Sequence, residues 1–175
     1  MMGGEKRTLV GLDLSTKKIA IALISDRADA LWRLGWDIRD GDLYTDEVVA
    51  KGSHMRERFD GLLEGFRNLF ETLKPIEHVY IEDVSFVRGR QTELGLAQVL
   101  GGVRAHLLDM GIPYTTVNNM TWKRDLGLGG KATKAAIMQH AKDIWPLVPS
   151  SQDVADALSV LEWGMQRSLM EASRG

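Results

Sequence analysis

Two acidic residues stand at the ends of apolar segments that have the length of strands. Asp13 ends the segment at 8–13, and Glu82 ends the segment at 78–82. Burial disfavours the ionised form of a carboxylate, so an acid at the end of a buried strand needs a cation or hydrogen-bond donors beside it. Each acid alone could also be a strand-end residue that caps a turn, so these two do not define a site by themselves.

A second pair of acids makes a shared site the better interpretation. Asp153 and Asp156 lie three residues apart in a segment that predicts a helix at 153–168, so their side chains share one helix face. Converging carboxylates repel one another unless a cation lies between them, and oxygen ligands alone favour Mg²⁺ or Mn²⁺. Two such ions roughly 3.5–4 Å apart are the usual device for in-line displacement at phosphorus. The four acids therefore predict metal-dependent phosphoryl chemistry.

The elements that must position these acids follow from hydrophobic periodicity. Apolar runs predict three strands that form an antiparallel meander, at 8–13, 18–25 and 28–37. The predicted elements that follow are a helix at 53–73, a strand at 78–82, a helix at 92–110, a strand at 114–117, and helices at 131–145 and 153–168. This order predicts an α/β fold, with a mixed sheet of antiparallel and parallel strands flanked by helices.

Composition restricts the class of protein. The chain has 175 residues, 44% of them hydrophobic, and no cysteine, which predicts one globular domain over residues 1–175. A cysteine nucleophile and a thiolate zinc site are excluded. No apolar stretch approaches the roughly 18 residues of a membrane span, and we find no signal-peptide hydrophobic region at the N-terminus. We therefore expect a cytoplasmic protein without a membrane partner.

The charges are distributed unevenly along the chain. Residues 84–142 carry eight basic and three acidic side chains, whereas residues 26–64 carry ten acidic and six basic ones. A chain with this pattern can present a basic face to nucleic acid although its net charge is only −2. A mixed, solvated surface is the alternative interpretation.

A glycine-rich loop at 125–130 precedes the helix predicted at 131–145 and could meet a phosphate. Backbone N–H groups at a helix start, together with Lys131 and Lys134, form a favourable anion environment. The segment is not a Walker A loop, because Ala132 follows Lys131 where Ser or Thr is required. Arg88 and Arg90 lie just beyond Glu82, close enough along the chain to contact a nucleic-acid backbone there.

The helix predicted at 92–110 has apolar residues on nearly every side. One sheet face cannot cover all of them, so this helix must bury a second surface. We expect a homodimer interface there, with one of Val99 and Val103 facing the partner and the other facing the sheet. A fully internal helix in a monomer is the alternative.

Five short segments follow one another between Thr8 and Trp163. They are GLDLST at 11–16, VYIEDV at 79–84, NNMTWK at 118–123, GKATK at 130–134 and DVADAL at 153–158. In order and spacing, this set resembles the RuvC-type Holliday junction resolvases, in the shorter-motif style of their phage relatives. The DVADAL segment is the most specific of the five, and the GLDLS start is the least specific.

The resemblance implies a fold, an activity and an assembly. The fold would be ribonuclease H-like, and the activity would be resolution of four-way DNA junctions by paired nicks, in which water attacks a phosphodiester. Two Mg²⁺ ions per active site, which Mn²⁺ can replace, would be the cofactors. The protein would act as a homodimer in the cytoplasm of a bacterium or a phage-infected cell.

The resemblance also implies roles for individual residues. The metal ligands and catalytic acids would be Asp13, Glu82, Asp153 and Asp156. Lys134 would be a catalytic lysine, and Lys123 would contact a phosphate. Together with these two lysines, the residues that we expect to bind DNA are Phe86, Arg88, Arg90 and Lys131. In the family, an aromatic residue that wedges into the branch point follows the catalytic Glu by three residues, but this chain has Ser85 there and Phe86 next.

Two other functions remain open at this point. A ribonuclease H-like nuclease acting on RNA or on other branched DNA would use the same metal chemistry. The start of the chain, at 11–18, also resembles the phosphate-binding hairpin of sugar kinases and actin-like ATPases. Those proteins close two lobes over ATP, and one domain of this length lacks the second lobe.

Overall fold

The computed structural model describes residues 8–25, 43–73, 75–83 and 89–174. Five strands and five helices lie within these ranges. The strands are β1 (Thr8–Leu14), β2 (Lys18–Ser25), β3 (Leu43–Val49), β4 (His78–Glu82) and β5 (Tyr114–Val117). The helices are α1 (Met55–Leu73), α2 (Arg90–Asp109), α3 (Asn119–Asp125), α4 (Lys134–Ile144) and α5 (Gln152–Ala172). Among the described helices, none is both long enough and apolar enough to cross a bilayer.

The strands form one mixed sheet in the order β3-β2-β1-β4-β5. Strand β2 pairs antiparallel with both β1 and β3. Strand β4 pairs parallel with β1 on one side and with β5 on the other. The prediction of a mixed sheet flanked by helices is confirmed. Because β1 and β4 run in the same direction and Leu12 pairs with Ile81, the next residues, Asp13 and Glu82, lie at the carboxyl ends of two neighbouring strands. Asp13 is the penultimate residue of β1, and Glu82 is the last residue of β4.

The third strand of the meander differs from the sequence prediction. The segment predicted as that strand, at 28–37, lies outside the described residues. In the structure, β3 at Leu43–Val49 pairs antiparallel with β2. The sequence pattern does not indicate β3, because Asp46 and Glu47 stand side by side in the middle of the strand and interrupt its apolar residues. The short helix α3 was also not predicted.

The sheet separates two apolar clusters, and strand periodicity decides which residues enter each of them. Val10 and Leu12 of β1 pack on the side of α1 and α2. Leu9 packs on the opposite side, with the buried residues of α4 and α5. Asp13 has the parity of Leu9 along the strand, and Glu82 has the parity of Tyr80, which belongs to the α5 side. Both acids are therefore directed towards α5.

Two glycines allow α5 to lie close against the sheet. A Cβ atom at Gly11 of β1 would lie 2.7 Å from the backbone N of Leu161, and a Cβ at Gly164 of α5 would overlap the ring of Tyr80. Only a residue without a side chain fits at these two positions. The close approach brings the first turns of α5 to the end of β1.

Helix α2 is buried on one side only. Its buried residues are Gly95, Val99, Leu100, Val103 and Leu107. A row of small and apolar residues is exposed on the other side, namely Leu94, Ala97, Gly101, Ala105 and Leu108. Leu94 is 55% exposed and Leu108 is 67% exposed, so the alternative of a fully internal helix is wrong. The expectation that Val99 or Val103 faces a partner is also wrong, because both valines pack into the core of their own chain.

Helices α4 and α5 contact each other through a buried ion pair. His140 Nε2 lies 2.6 Å from Glu162 Oε2, and Gln166 Nε2 donates a hydrogen bond of 3.2 Å to Glu162 Oε1. The bond with Glu162 raises the pKa of His140 above its ordinary value, although burial opposes this. The charged form of His140 therefore stabilises the packing of these two helices.

We expect this pair to make stability depend on pH. In an unfolded chain, the pKa of histidine is about 6.5, and the pKa of His140 in the folded protein is higher. The pair therefore contributes fully to the free energy of unfolding at a pH below the unfolded pKa. This contribution is lost as the pH rises through the folded pKa. Urea unfolding of the wild type and of His140→Gln, between about pH 6 and pH 9, measures the difference in the free energy of unfolding. The stability advantage of the wild type should shrink as pH rises, and a constant difference would contradict the assignment.

Candidate active site

The four candidate acids meet where β1, β4 and α5 come together. Asp13 and Glu82 reach this place at the ends of their strands, and Asp153 and Asp156 reach it from the first two turns of α5. The helix begins there because Ser151 is its N-cap, with a side-chain oxygen that accepts a hydrogen bond of 3.2 Å from the Val154 N–H.

Three of the acids form a tight group. One carboxylate oxygen each from Asp13, Asp153 and Asp156 lie within 4.8 Å of one another. All three side chains are partly buried, so water screens their mutual repulsion only in part. A group of this kind offers oxygen ligands from three sides to one cation.

Asp13 carries the strongest electrostatic penalty in this group. Burial, followed by the charges of Glu82, Asp156 and Asp153, raises its pKa well above the ordinary value, and the charge of Lys18 lowers it only in part. Among the described residues, no hydrogen-bond donor reaches the Asp13 carboxylate. A carboxylate placed in this way fits a divalent cation, which would supply the missing positive charge.

The pKa of Asp156 is raised less than that of Asp13. Burial and then the charge of Glu82 raise its pKa to about 7, opposed by a hydrogen bond from Gln152 and by the charge of Lys123. The Gln152 Nε2 donates to Asp156 Oδ1 over 3.1 Å. This bond fixes one oxygen of Asp156 and leaves the other available to a ligand.

Glu82 is anchored by two donors from the segment that follows β5. Asn119 Nδ2 donates to Glu82 Oε1 and Trp122 Nε1 donates to Glu82 Oε2, each over 2.8 Å. Burial raises the pKa of Glu82, and these two bonds lower it. The NNMTWK motif therefore orients a candidate active-site acid. The sequence alone does not show this role, because no local pattern marks Trp122 as a hydrogen-bond donor to Glu82.

The two lysines expected near the phosphate differ in their surroundings. Lys123 lies beside the carboxylates, because its charge lowers the pKa of both Glu82 and Asp156, and its Nζ lies 5.3 Å from the ring centre of Trp122. Lys134 is exposed at the first residue of α4. Within the described part of the chain, no hydrogen bond or ion pair joins it to these acids.

The other residues expected to bind DNA are placed only in part. Phe86 and Arg88 lie outside the described residues. Arg90 is exposed at the start of α2, the first described helix after the end of β4 that carries Glu82. Lys131 is exposed in the glycine loop that precedes α4, and the chain turns there through Gly127 and Gly129, whose φ angles of +78° and +82° suit glycine.

A lysine and a glutamate that sequence analysis did not identify also contact the site. Lys18 Nζ lies 2.8 Å from Asp153 Oδ2 and 3.0 Å from Glu47 Oε1. Ser151, the N-cap of α5, donates a hydrogen bond of 2.6 Å from its hydroxyl to the same Glu47 oxygen. No sequence signal pointed to this cluster, because Glu47 belongs to the strand that was not predicted.

Comparisons with known proteins agree with this geometry. A family model described as "Crossover junction endodeoxyribonuclease RuvC" matches residues 9–161. Two curated relatives with the same description, from Citrifermentans bemidjiense and a Geobacter species, are each 26% identical over 153 residues, covering 87% of this chain and 88% of theirs.

Solved structures show the same fold. Thermus thermophilus RuvC in complex with a Holliday junction substrate matches with a TM-score of 0.74 and 18% identity, covering 94% of this chain and 96% of that one. The yeast mitochondrial Holliday junction resolvase Ydc2 matches with a TM-score of 0.58 and 11% identity, over 95% of this chain and 82% of the other. The fold of this chain is thus the ribonuclease H-like fold of these nucleases.

Proposed function

The chain belongs to the RuvC family of crossover junction endodeoxyribonucleases, and on that premise we propose that it hydrolyses DNA at the site formed by Asp13, Glu82, Asp153 and Asp156. It is an endonuclease that resolves Holliday junctions. The observation that carries the assignment of the site is the group of three carboxylates within 4.8 Å of one another, beside a glutamate held by two donors.

The family uses divalent metal ions, and we propose two Mg²⁺ ions per site, with Mn²⁺ able to replace them. Asp13, Asp153 and Asp156 would hold one ion, and Glu82 with Asp13 would hold the other. When bound, such ions would activate the attacking water and neutralise charge on the leaving oxygen. The protein's own contribution is to hold the acids in place, with Asn119 and Trp122 fixing Glu82 and Gln152 fixing Asp156.

Four-way DNA would approach across the active-site end of the sheet. We propose that Lys123, Lys131, Lys134 and Arg90 contact its phosphates, together with Arg88, and that Phe86 is the aromatic wedge at the branch point. The support is the charge of Lys123 beside Glu82 and Asp156, together with the exposure of Arg90, Lys131 and Lys134 to solvent. Lys134 would act mainly on the scissile phosphate, where a cation stabilises charge that grows in the transition state.

We expect Lys123→Ala to weaken junction binding through the loss of one phosphate contact. The slope of log affinity against log salt concentration is negative, and its magnitude should decrease by about one unit because one fewer counterion is released. Fluorescence anisotropy at several salt concentrations measures the slope. Lys142→Ala, at an exposed lysine in the last turn of α4, is the matched control and should leave it unchanged; an unchanged slope for Lys123→Ala would remove Lys123 from the interface.

The exposed side of α2 supports a homodimer. Its row of Leu94, Ala97, Gly101, Ala105 and Leu108 would be covered by the same row of a second copy, as in an isologous interface. Small residues in the middle allow close approach, and a leucine at each end provides apolar area. A two-fold dimer would present two identical sites to the two symmetric strands of a junction.

We expect Leu108→Glu to convert the dimer into a folded monomer. A charge at that row would be buried without a partner in the interface, whereas in the monomer it would face water. Sedimentation velocity at micromolar concentration measures the assembly. Val148→Glu is the control, because Val148 is an apolar residue that is 74% exposed outside α2. A wild type that sediments as a monomer would refute the dimer.

The choice of substrate can be tested in one assay. Labelled four-way junction, replication fork, linear duplex and RNA–DNA hybrid are incubated with and without Mg²⁺. We expect cleavage of the junction in the presence of Mg²⁺ and little of the hybrid. Preferential cleavage of the hybrid would favour the broader ribonuclease H-like function.

A single domain and a cytoplasmic location stay predictions from the sequence.

A further inference from the structure

We propose that Lys18 is a built-in counter-cation of the acidic site: its ammonium group holds Asp153 in place in the metal-free protein, and metal binding weakens that ion pair. Lys18 would thus be a positioning residue that lowers the affinity for metal. This inference rests on the proposed metal site. It goes further, because Lys18 is neither one of the four candidate acids nor one of the lysines expected to contact DNA.

The position of Lys18 follows from strand register. Asp13 of β1 pairs with Ala20 of β2, and Ala20 pairs with Glu47 of β3, so these residues form one row across the sheet. Ala20 carries only a methyl group, which leaves room between the two acids. Lys18 lies two residues before Ala20 and therefore has the same parity along β2. Its side chain reaches both Glu47 and the first turn of α5.

The contacts of Lys18 connect three elements at the site. Its Nζ bonds Asp153 of α5 over 2.8 Å and Glu47 of β3 over 3.0 Å. Glu47 in turn accepts the hydroxyl hydrogen bond of Ser151, the N-cap of α5. The first turn of the helix is thus attached to two strands. These side chains are only 25–33% exposed, so the ion pairs are better shielded from water than ordinary surface pairs.

Electrostatics sets the sign of the coupling between Lys18 and a metal ion. Without a metal, Lys18 Nζ pairs directly with Asp153, and its charge opposes the raised pKa of Asp13. A divalent ion among Asp13, Asp153 and Asp156 would bring like charge close to the ammonium group and would compete for the electrons of Asp153. Each cation should therefore weaken the binding of the other, and this coupling is reciprocal.

A purely structural role predicts a different result. If Lys18 only attached α5 to the sheet, its removal would lower stability by the same amount with and without metal. It would leave the affinity for metal unchanged, or would weaken it through loss of order at Asp153. The sign of the change in affinity therefore separates the two roles.

The experiment compares the wild type with Lys18→Met in the full chain, with Ca²⁺ as the probe because it should bind without supporting cleavage. Isothermal titration calorimetry gives the affinity, and thermal unfolding with and without Ca²⁺ gives the stability. We expect Lys18→Met to bind Ca²⁺ about fivefold more tightly. We also expect a lower Tm without metal, and a larger rise in Tm on adding Ca²⁺ than the wild type shows.

Three variants complete the test. Lys18→Arg keeps the charge and should restore an affinity close to that of the wild type. Lys142→Met, at an exposed lysine of α4, should bind Ca²⁺ as the wild type does. Glu47→Gln removes the acid that shares Lys18 with Asp153 and should weaken Ca²⁺ binding, which keeps the proposal testable if Lys18→Met does not fold.

The outcomes distinguish this proposal from the metal site on which it rests. Unchanged or weaker Ca²⁺ binding by Lys18→Met, or tighter binding by Glu47→Gln, would overturn the counter-cation role. A wild type that binds neither Ca²⁺ nor Mn²⁺ would instead refute the metal site itself.

Discussion

Asp13→Asn is expected to abolish DNA cleavage while junction binding stays within about twofold of the wild type, since the basic residues that supply the phosphate contacts are untouched. The variant removes the charge of a proposed metal ligand in the three-carboxylate group, and metal-assisted hydrolysis would require that charge. Single-turnover cleavage of a labelled junction in Mg²⁺ measures the rate, and anisotropy in Ca²⁺ measures binding. Turnover close to that of the wild type would refute the proposed site.

Three further variants support that test. Glu82→Gln, Asp153→Asn and Asp156→Asn should lose cleavage in the same way, because each removes one acid of the site. Asp109→Asn is the matched control, since Asp109 is an exposed acid at the end of α2 and should cleave as the wild type does.

The same Asp13→Asn change should stabilise the metal-free protein at neutral pH. Because burial and neighbouring acids raise the pKa of Asp13 in the folded state, ionisation opposes folding. The penalty is absent below the unfolded pKa of about 3.9 and grows as pH rises towards the folded one. Urea unfolding should therefore show a gain for Asp13→Asn at pH 7 that disappears in acid. A loss of stability at pH 7 would contradict this account of the site.

Gly11→Val is expected to be the most destabilising substitution near the site. A Cβ at Gly11 would lie 2.7 Å from both Cβ and N of Leu161, so β1 and α5 would have to separate. Overpacking of this kind costs about 3 kcal/mol, which corresponds to a fall in Tm of roughly 6–12 °C for a chain of this size. Thermal unfolding measures it.

Cleavage should also fall in any Gly11→Val protein that still folds, because the same separation moves Asp153 and Asp156 away from Asp13. Gly61→Ala is the control. A Cβ at Gly61 of α1 meets only an ordinary contact at 3.8 Å, and alanine is favoured over glycine within a helix by about 0.5–1 kcal/mol. Its Tm should be equal to or above that of the wild type. An unchanged Tm for Gly11→Val would show that α5 does not need this close approach.

Local patterns in the sequence were enough to determine most of the elements and the acids themselves. The strands at Thr8–Leu14, Lys18–Ser25, His78–Glu82 and Tyr114–Val117 appear as short apolar runs because a buried strand shows its periodicity over only a few residues. The amphipathic α1 and the largely buried α5 appear in the same way. Acids at strand ends, and a pair three residues apart on one helix, then indicate carboxylates that can share a metal.

The contacts that hold those acids in place join segments that are far apart in the sequence. Lys18 and Glu47 are 29 residues apart in sequence, Glu82 and Trp122 are 40 apart, and Glu47 and Ser151 are 104 apart. The folded structure also shows that Val99 and Val103 both enter the core, and that Leu94 and Leu108 stay exposed. Periodicity shows which face of an element is buried, but contacts between distant segments depend on strand register and on glycines that permit close packing. Those pairings form only when the chain folds, so no local pattern records them.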